Sequence, residues 1–158
     1  MAGRPAQLDD PPGPFTIRVV GSPATQGSKI PGVTKDGKPY VREDNPPDLG
    51  RWRGDIVAAA SALVEEHGGG FDQFVPVVLH VVYHLRRPDS YPRWIEFPVK
   101  KPDLDKLTRA VCDALKDARA YHDDAQVVRH IVDKVFARPG QPFGATIVLK
   151  MRTRSGET

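Results

Sequence analysis

Lys101 to Val128 reads KPDLDKLTRAVCDALKDARAYHDDAQVV, and its two acidic pairs, Asp103/Asp105 and Asp123/Asp124, bracket one amphipathic helix. Leu104, Leu107, Val111, Leu115 and Ala118 recur at spacings of three and four, which predicts a helix that ends before Tyr121. A short helix followed by a return loop can bring both of its ends to one side of a sheet, so the four carboxylates are expected to converge. Hard divalent cations such as Mg2+ take oxygen ligands of this kind. Asp103 to Asp124 carries six acidic and four basic residues, net −2, so the rest of the chain carries +5 of the total of +3. An acidic pocket in a basic surface suits a metal-dependent enzyme acting on a polyanion.

Backbone geometry sharpens the reading of the first pair. Residues two apart on a helix point about 200° away from each other, whereas on an extended segment they share a face. Pro102 disfavours helix at Lys101 and is tolerated only at a helix start, so helix is expected from around Asp105, with both carboxylates at its N-terminal mouth. There, free backbone N–H groups and the positive dipole end also favour phosphate. The alternative is that one Asp caps the helix and the other decorates its first turn. Asp123 and Asp124 stand at the entrance of a β-rich run, Gln126-Val-Val128. Adjacent side chains diverge in extended chain, so one of them is expected to face the first pair.

A chain of 158 residues, 39% hydrophobic and 27% charged, is the size of one globular domain. A pI near 9.1 tilts its partners toward anions. The single cysteine, Cys112, rules out an intrachain disulfide and a cysteine-based zinc site, and is read as a small buried or interface residue. The start of the chain lacks the apolar run of a signal peptide, and no segment approaches the ~20 apolar residues of a bilayer span. A cytoplasmic protein with no membrane partner is expected, with residues 1–13 a disordered tail, 14–153 the folded domain and 154–158 a flexible tail.

Phe15–Val20 alternates as a first strand. Gly21 to Pro47 is rich in Gly, Pro, Lys and Asp; Thr34-Lys-Asp-Gly-Lys38 is a hairpin-like turn signal within it, and Lys29, Lys35, Lys38 and Arg42 make the arm basic. Asp48 to His67 predicts a helix capped by Asp48 and stopped by Gly68-Gly-Gly70. Val75–Leu85 reads as a central strand. The Pro-broken loop that follows, Arg86 to Lys101, holds five basic and two acidic residues. Arg86, Arg87, Arg93, Lys100 and Lys101, with Lys29, Lys35 and Lys38 of the arm, are the candidate phosphate contacts, and Tyr91 and Trp94 the candidate base or sugar contacts. Val127–Ala137 and Gly144–Arg152 complete the chain, read as a hairpin around Pro139-Gly-Gln-Pro142. The order is β-α-β-α-β-β, an α+β domain.

Asp103-Leu-Asp105, the helix with Asp113-Ala-Leu115, and Asp123-Asp124-Ala-Gln-Val-Val128 resemble the RusA family of Holliday junction resolvases, endonucleases of bacteria and their phages. The resemblance is strongest from Pro102 to Val128 and extends by element order from Phe15 to Arg152. It implies a homodimer with a mixed sheet packed against two helices, in the host cytoplasm if phage-encoded. It also implies Mg2+-dependent cutting of four-way DNA junctions, with Mn2+ as the alternative metal. The family's three essential aspartates fall on Asp103, Asp105 and Asp124, and Asp123 matches a neighbouring acid counted with them as a metal ligand. The family's lysine four positions after the second Asp is here Arg109. Arg keeps the charge and bridges phosphate oxygens but cannot donate a proton as a perturbed lysine can, so Lys106, one turn earlier, is the second candidate.

Phosphodiester hydrolysis needs activated water and neutralised oxyanions, which carboxylate-held Mg2+ can supply. Two symmetric nicks call for two sites, hence a two-fold dimer. Among five histidines none has a metal-binding spacing, and His122 is nearest the acids in sequence. Gly21 to Lys29, GSPATQGSK, has the wrong order for a nucleotide-binding P-loop. A catalytically impaired binder of branched DNA is the alternative, motivated by Arg109. A DxD-dependent glycosyltransferase would need a larger nucleotide-binding domain.

Overall fold

A computed structural model describes residues 14–27 and 29–154. The expected N-terminal tail, and the expected C-terminal tail beyond residue 154, lie outside them. The elements are β1 (Phe15–Val20), β2 (Lys29–Val33), β3 (Pro39–Glu43), α1 (Leu49–Glu66), β4 (Val77–Leu85), α2 (Leu104–Asp117), a single 3-10 turn (Asp124–Gln126), β5 (Val127–Phe136) and β6 (Gly144–Met151). The α+β class is as expected, with two strands more than the expected order. β2 and β3 pair as an antiparallel hairpin around the Thr34–Lys38 turn. Almost nothing in the hairpin is buried, so no apolar alternation marks it as strand.

The main sheet has the order β1-β6-β4-β5. β6 runs antiparallel to both β1 and β4, while β5 runs parallel to β4. The expected β5–β6 hairpin is therefore corrected: the two strands lie on opposite sides of β4. The physical reason is composition. β4, VVLHVVYHL, is the most thoroughly buried strand and takes an interior position, whereas β5 carries Arg129, Asp133 and Lys134, charges that suit an edge. Parallel neighbours need a crossover, and α2 supplies it.

Both helices cover one face of this sheet. Val77, Leu79, Val81, Tyr83 and Leu85 of β4 meet Trp52, Ile56 and Ala60 of α1 and Leu107, Val111 and Leu115 of α2 in the core. Each such large side chain contributes about 1.5–3 kcal/mol by leaving water. Tyr83 hydroxyl donates to Thr108 Oγ1 at 3.2 Å, and Thr108 donates to Leu104 O at 2.9 Å, so these two hydroxyls are satisfied, whereas Trp52 Nε1 is buried without a partner among the described residues. α1 stops at Gly68, whose φ of 78° is open to glycine. Asp48 stands at the cap position without a side-chain cap bond.

α2 ends differently. Arg119 takes φ 59° while its N–H and that of Ala120 bond back to Lys116 O and Leu115 O, a helix stop that normally uses glycine. A side chain in this region costs about 1–2 kcal/mol, partly offset by glycine's greater unfolded-state entropy. Arg119→Gly is therefore expected to raise unfolding stability by up to about 1 kcal/mol, read from urea denaturation midpoints.

Candidate active site

α2 begins at Leu104, one residue before the expected start, with Asp103 at the cap position in extended conformation (φ −72°, ψ 131°) and Asp105 in the first turn. The preceding Lys101–Pro102 bond is cis. Asp103 makes no side-chain cap bond; its carboxylate faces Lys106 Nζ at 3.5 Å, both side chains substantially exposed. Lys134 of β5 fixes the approach to this end by donating to Lys100 O at 2.8 Å and Pro102 O at 2.9 Å.

At the other end, Asp124 opens the 3-10 turn. Asp123 caps that turn, accepting from Ala125 N–H at 2.8 Å. Gln126 ties it down: its Oε1 accepts from the N–H groups of His122 and Asp123, and its Nε2 donates to Asp72 O and Val75 O. The result turns the two adjacent acids apart. Asp123 lines a surface depression with His122 and Phe74, while Asp124 turns toward α2, where Tyr121 hydroxyl lies 2.9 Å from Cys112 O and 3.2 Å from Asp124 Oδ1.

Between α2 and edge strand β5 runs a trough of ≈ 640 Å³. Asp105, Arg109 and Asp124 line it, with His130 and an apolar floor of Leu104, Cys112, Val127 and Val132. Register explains the β5 side: His130, Val132, Lys134 and Phe136 pair with Leu79, Val81, Tyr83 and Leu85 and so share the helix-covered face. α2 and β5 run in opposite directions, so Asp105 lies toward the Lys134–Pro102 end and Asp124 toward the Tyr121–Cys112 end. Seven residues of helix rise, about 10 Å, separate Asp105 from Cys112. The expected convergence of four carboxylates within one chain is corrected accordingly: among the described residues no three acidic, histidine or cysteine groups stand close enough to share a metal. The length of α2 holds its two ends apart.

Asp103, Lys106 and Lys101 line a different depression, of ≈ 660 Å³, against Gly27, Ile30 and Asp44 at the base of the hairpin. Arg109 is thus the cation in the trough, and Lys106 the one beside Asp103. Lys29, Lys35 and Lys38 are exposed along the hairpin, and Arg86 and Arg93 on the loop before α2. Arg87 is engaged internally, donating to Pro92 O and Ile95 O, and Lys100 Nζ lies 5.6 Å from the Tyr91 ring centre. Sequence reasoning missed Tyr121, Gln126, His130 and Lys134. Gln126 stood inside the quoted motif; His130 and Lys134 carried no local signal, since only the β4–β5 register shows which side they take.

Burial raises the Asp124 pKa above the usual carboxylate range; the Tyr121 hydrogen bond lowers it, and the charge of Asp113 raises it further. Cys112 is pushed up to about 11 by burial and by Asp124, so it stays a thiol at neutral pH and is no nucleophile. Tyr121 is raised, first by burial, and remains a donor. Ionised Asp124 is thus under-compensated, which suits a place where a cation sits. The acids offer only oxygen donors, which fit a hard divalent cation held by one or two carboxylates with water and substrate phosphates completing its shell.

Residues 25–142 match the family model for endodeoxyribonuclease RusA. The chain belongs to the RusA endodeoxyribonuclease family. No curated protein matches it. As a RusA-family enzyme it is a Holliday junction resolvase that acts on branched DNA, in a family of divalent-metal-dependent nucleases. Among the described residues no helix is long and apolar enough to cross a membrane.

The raised pKa of Asp124 has a defined sign. An acid whose folded pKa exceeds its unfolded value favours folding below the unfolded pKa, and that contribution is lost as pH rises through the folded pKa. Without divalent metal at pH 7, Asp124→Asn is expected to unfold at equal or higher urea than wild type, and that advantage is expected to shrink as pH falls through the carboxylate range. Urea titrations at a series of pH values check both.

Proposed function

We propose that this RusA-family enzyme resolves four-way junctions by paired symmetric nicks, dependent on Mg2+, from a homodimer whose active sites lie in the troughs between α2 and β5. The observation that carries this reading is the alignment of Asp105, Arg109 and Asp124 along one trough. Asp105 and Asp124, with Asp103 at the helix mouth, are the proposed metal-holding residues, one or two carboxylates to a cation with water and substrate phosphates completing its shell; Asp123, turned to its cap, is left a turn-forming role. When bound, a divalent cation supplies Lewis-acid stabilisation of phosphate charge and makes water more acidic. Arg109 presents a planar set of donors that can bridge two phosphate oxygens and offset the charge that grows on them in the transition state. Tyr121 keeps its proton and holds Asp124 in orientation. The free N–H groups at the start of α2 offer a seat for a neighbouring phosphate.

The dimer is supported by two considerations. Two strands must be cut in symmetric positions, and a two-fold pair presents two equivalent sites. A single chain also leaves its acids strung along the trough, so a second copy is the economical source of further ligands. Lys29, Lys35, Lys38, Arg86, Arg93, Lys100 and Lys101 are the proposed contacts to junction arms, and affinity carried by such contacts falls steeply with salt.

Cleavage of a labelled four-way junction beside linear duplex of the same sequence, with Mg2+ and with EDTA, tests the reading. Paired nicks in the junction alone are expected, lost in EDTA and reduced at least about 100-fold in Asp105→Asn, the scale of losing one charge contact in a transition state. Tight junction binding without cutting in Mg2+ or Mn2+ would leave the branched-DNA binder in its place.

A further inference from the structure

The loop from Arg86 to Lys101 holds an indole out in solvent on a braced turn. Pro92 to Ile95 forms a turn closed by Ile95 N–H donating to Pro92 O at 3.1 Å, with Arg93 and Trp94 at its two central positions. The Arg87 guanidinium grips both ends of that turn, donating to Ile95 O at 2.8 Å and Pro92 O at 2.6 Å. The guanidinium is itself stacked 4.8 Å from the ring centre of Phe136 on β5. Tyr91 packs edge-on against the same ring at 5.2 Å and accepts from Lys100 N–H at 3.0 Å. Trp94 is nonetheless 81% exposed, and Phe97 and Val99 further along the loop are also exposed. A braced turn has little conformational entropy left to lose on binding, and a large indole held in water is an apolar patch without a partner among the described residues.

We infer that Trp94 is a base-stacking element that selects branched over linear DNA. The inference rests on the junction-resolving reading above. The occupant is argued from charge. The loop carries five basic and two acidic residues, so a polyanion complements it, whereas a two-fold contact between copies would set this basic patch against itself. At a junction's crossover bases are less firmly stacked on both neighbours than in linear duplex, so an indole can cover a base face there. Arg86 and Arg93, exposed on the same loop, are available to take phosphates, and Lys100 and Lys101 lead along the chain to Asp103. Stacking on an aromatic is indifferent to base identity, so the preference is for shape.

The chain's two tryptophans make the test direct, because Trp52 is 1% exposed and Trp94 is the one accessible to a quencher. In EDTA, with full-length protein, a four-way junction is expected to quench Trp94 emission and shield it from acrylamide, and linear duplex to do neither. Trp94→Ala is expected to weaken junction binding about 5- to 150-fold, the range for one base stack, to leave duplex binding within about twofold, and to sediment as wild type does; Trp94→Phe is expected to recover most of the loss. Junction affinity unchanged in Trp94→Ala, or a change in its sedimentation that marks Trp94 as an interface residue, would overturn the inference while leaving the resolvase reading intact. Wild-type protein that binds junction no better than duplex would remove that reading itself.

Discussion

The parallel pairing of β4 with β5 is the constraint on which the rest of this structure depends. Parallel neighbours cannot be joined by a tight turn, so the chain must cross the sheet, and the crossing element is α2. Because α2 returns the chain to the start of β5, helix and edge strand run side by side in opposite directions. Their seam is the trough that Asp105, Arg109 and Asp124 line. The site is thus a by-product of strand order, with the helix start presenting one acid and the strand entrance the other.

Edge strand β5 does more than close the sheet. Its helix-side residues brace successive parts of the site: His130 and Val132 line the trough, Lys134 holds the backbone just before Asp103, and Phe136 supports the Arg87-braced loop. Gln126 at its entrance has all its amide capacity directed to backbone groups, which sets the orientation of the turn bearing Asp124. These are positioning residues; they make the acids' placement a property of the sheet rather than of a free loop. The electrostatic consequence is visible at Asp124, where burial and the like charge of Asp113 raise its pKa. Stability is traded locally for a carboxylate that favours a positive partner.

Much of this could be read from the amino-acid order, and the limits have physical causes. β1, α1 and α2 emerge from periodicity because each buries one face, and Gly68 marks the end of α1 because the chain turns left-handed there. β2 and β3 escape the same reading because neither buries a face. Strand order escapes it because β5 and β6, adjacent in sequence, find partners across β4. At the site, the acidic pairs and Arg109 stand out by spacing, but alternation alone says only that Asp123 and Asp124 diverge. The cap to Ala125 and the Gln126 ties decide which way. Sequence proximity likewise favours His122, whereas β5 register brings His130 to the trough. The expected gathering of four carboxylates takes no account of the full length of α2 between them.

The most direct test of this account sets the two adjacent acids against each other. Asn also caps helical turns, so Asp123→Asn leaves the local fold its cap, and Asp124→Asn changes charge where the trough opens. Junction cleavage by the two variants at saturating Mg2+ is predicted to be near wild type for Asp123→Asn and abolished for Asp124→Asn. Loss of cleavage in Asp123→Asn with activity retained in Asp124→Asn would contradict the placement of the active site between α2 and β5.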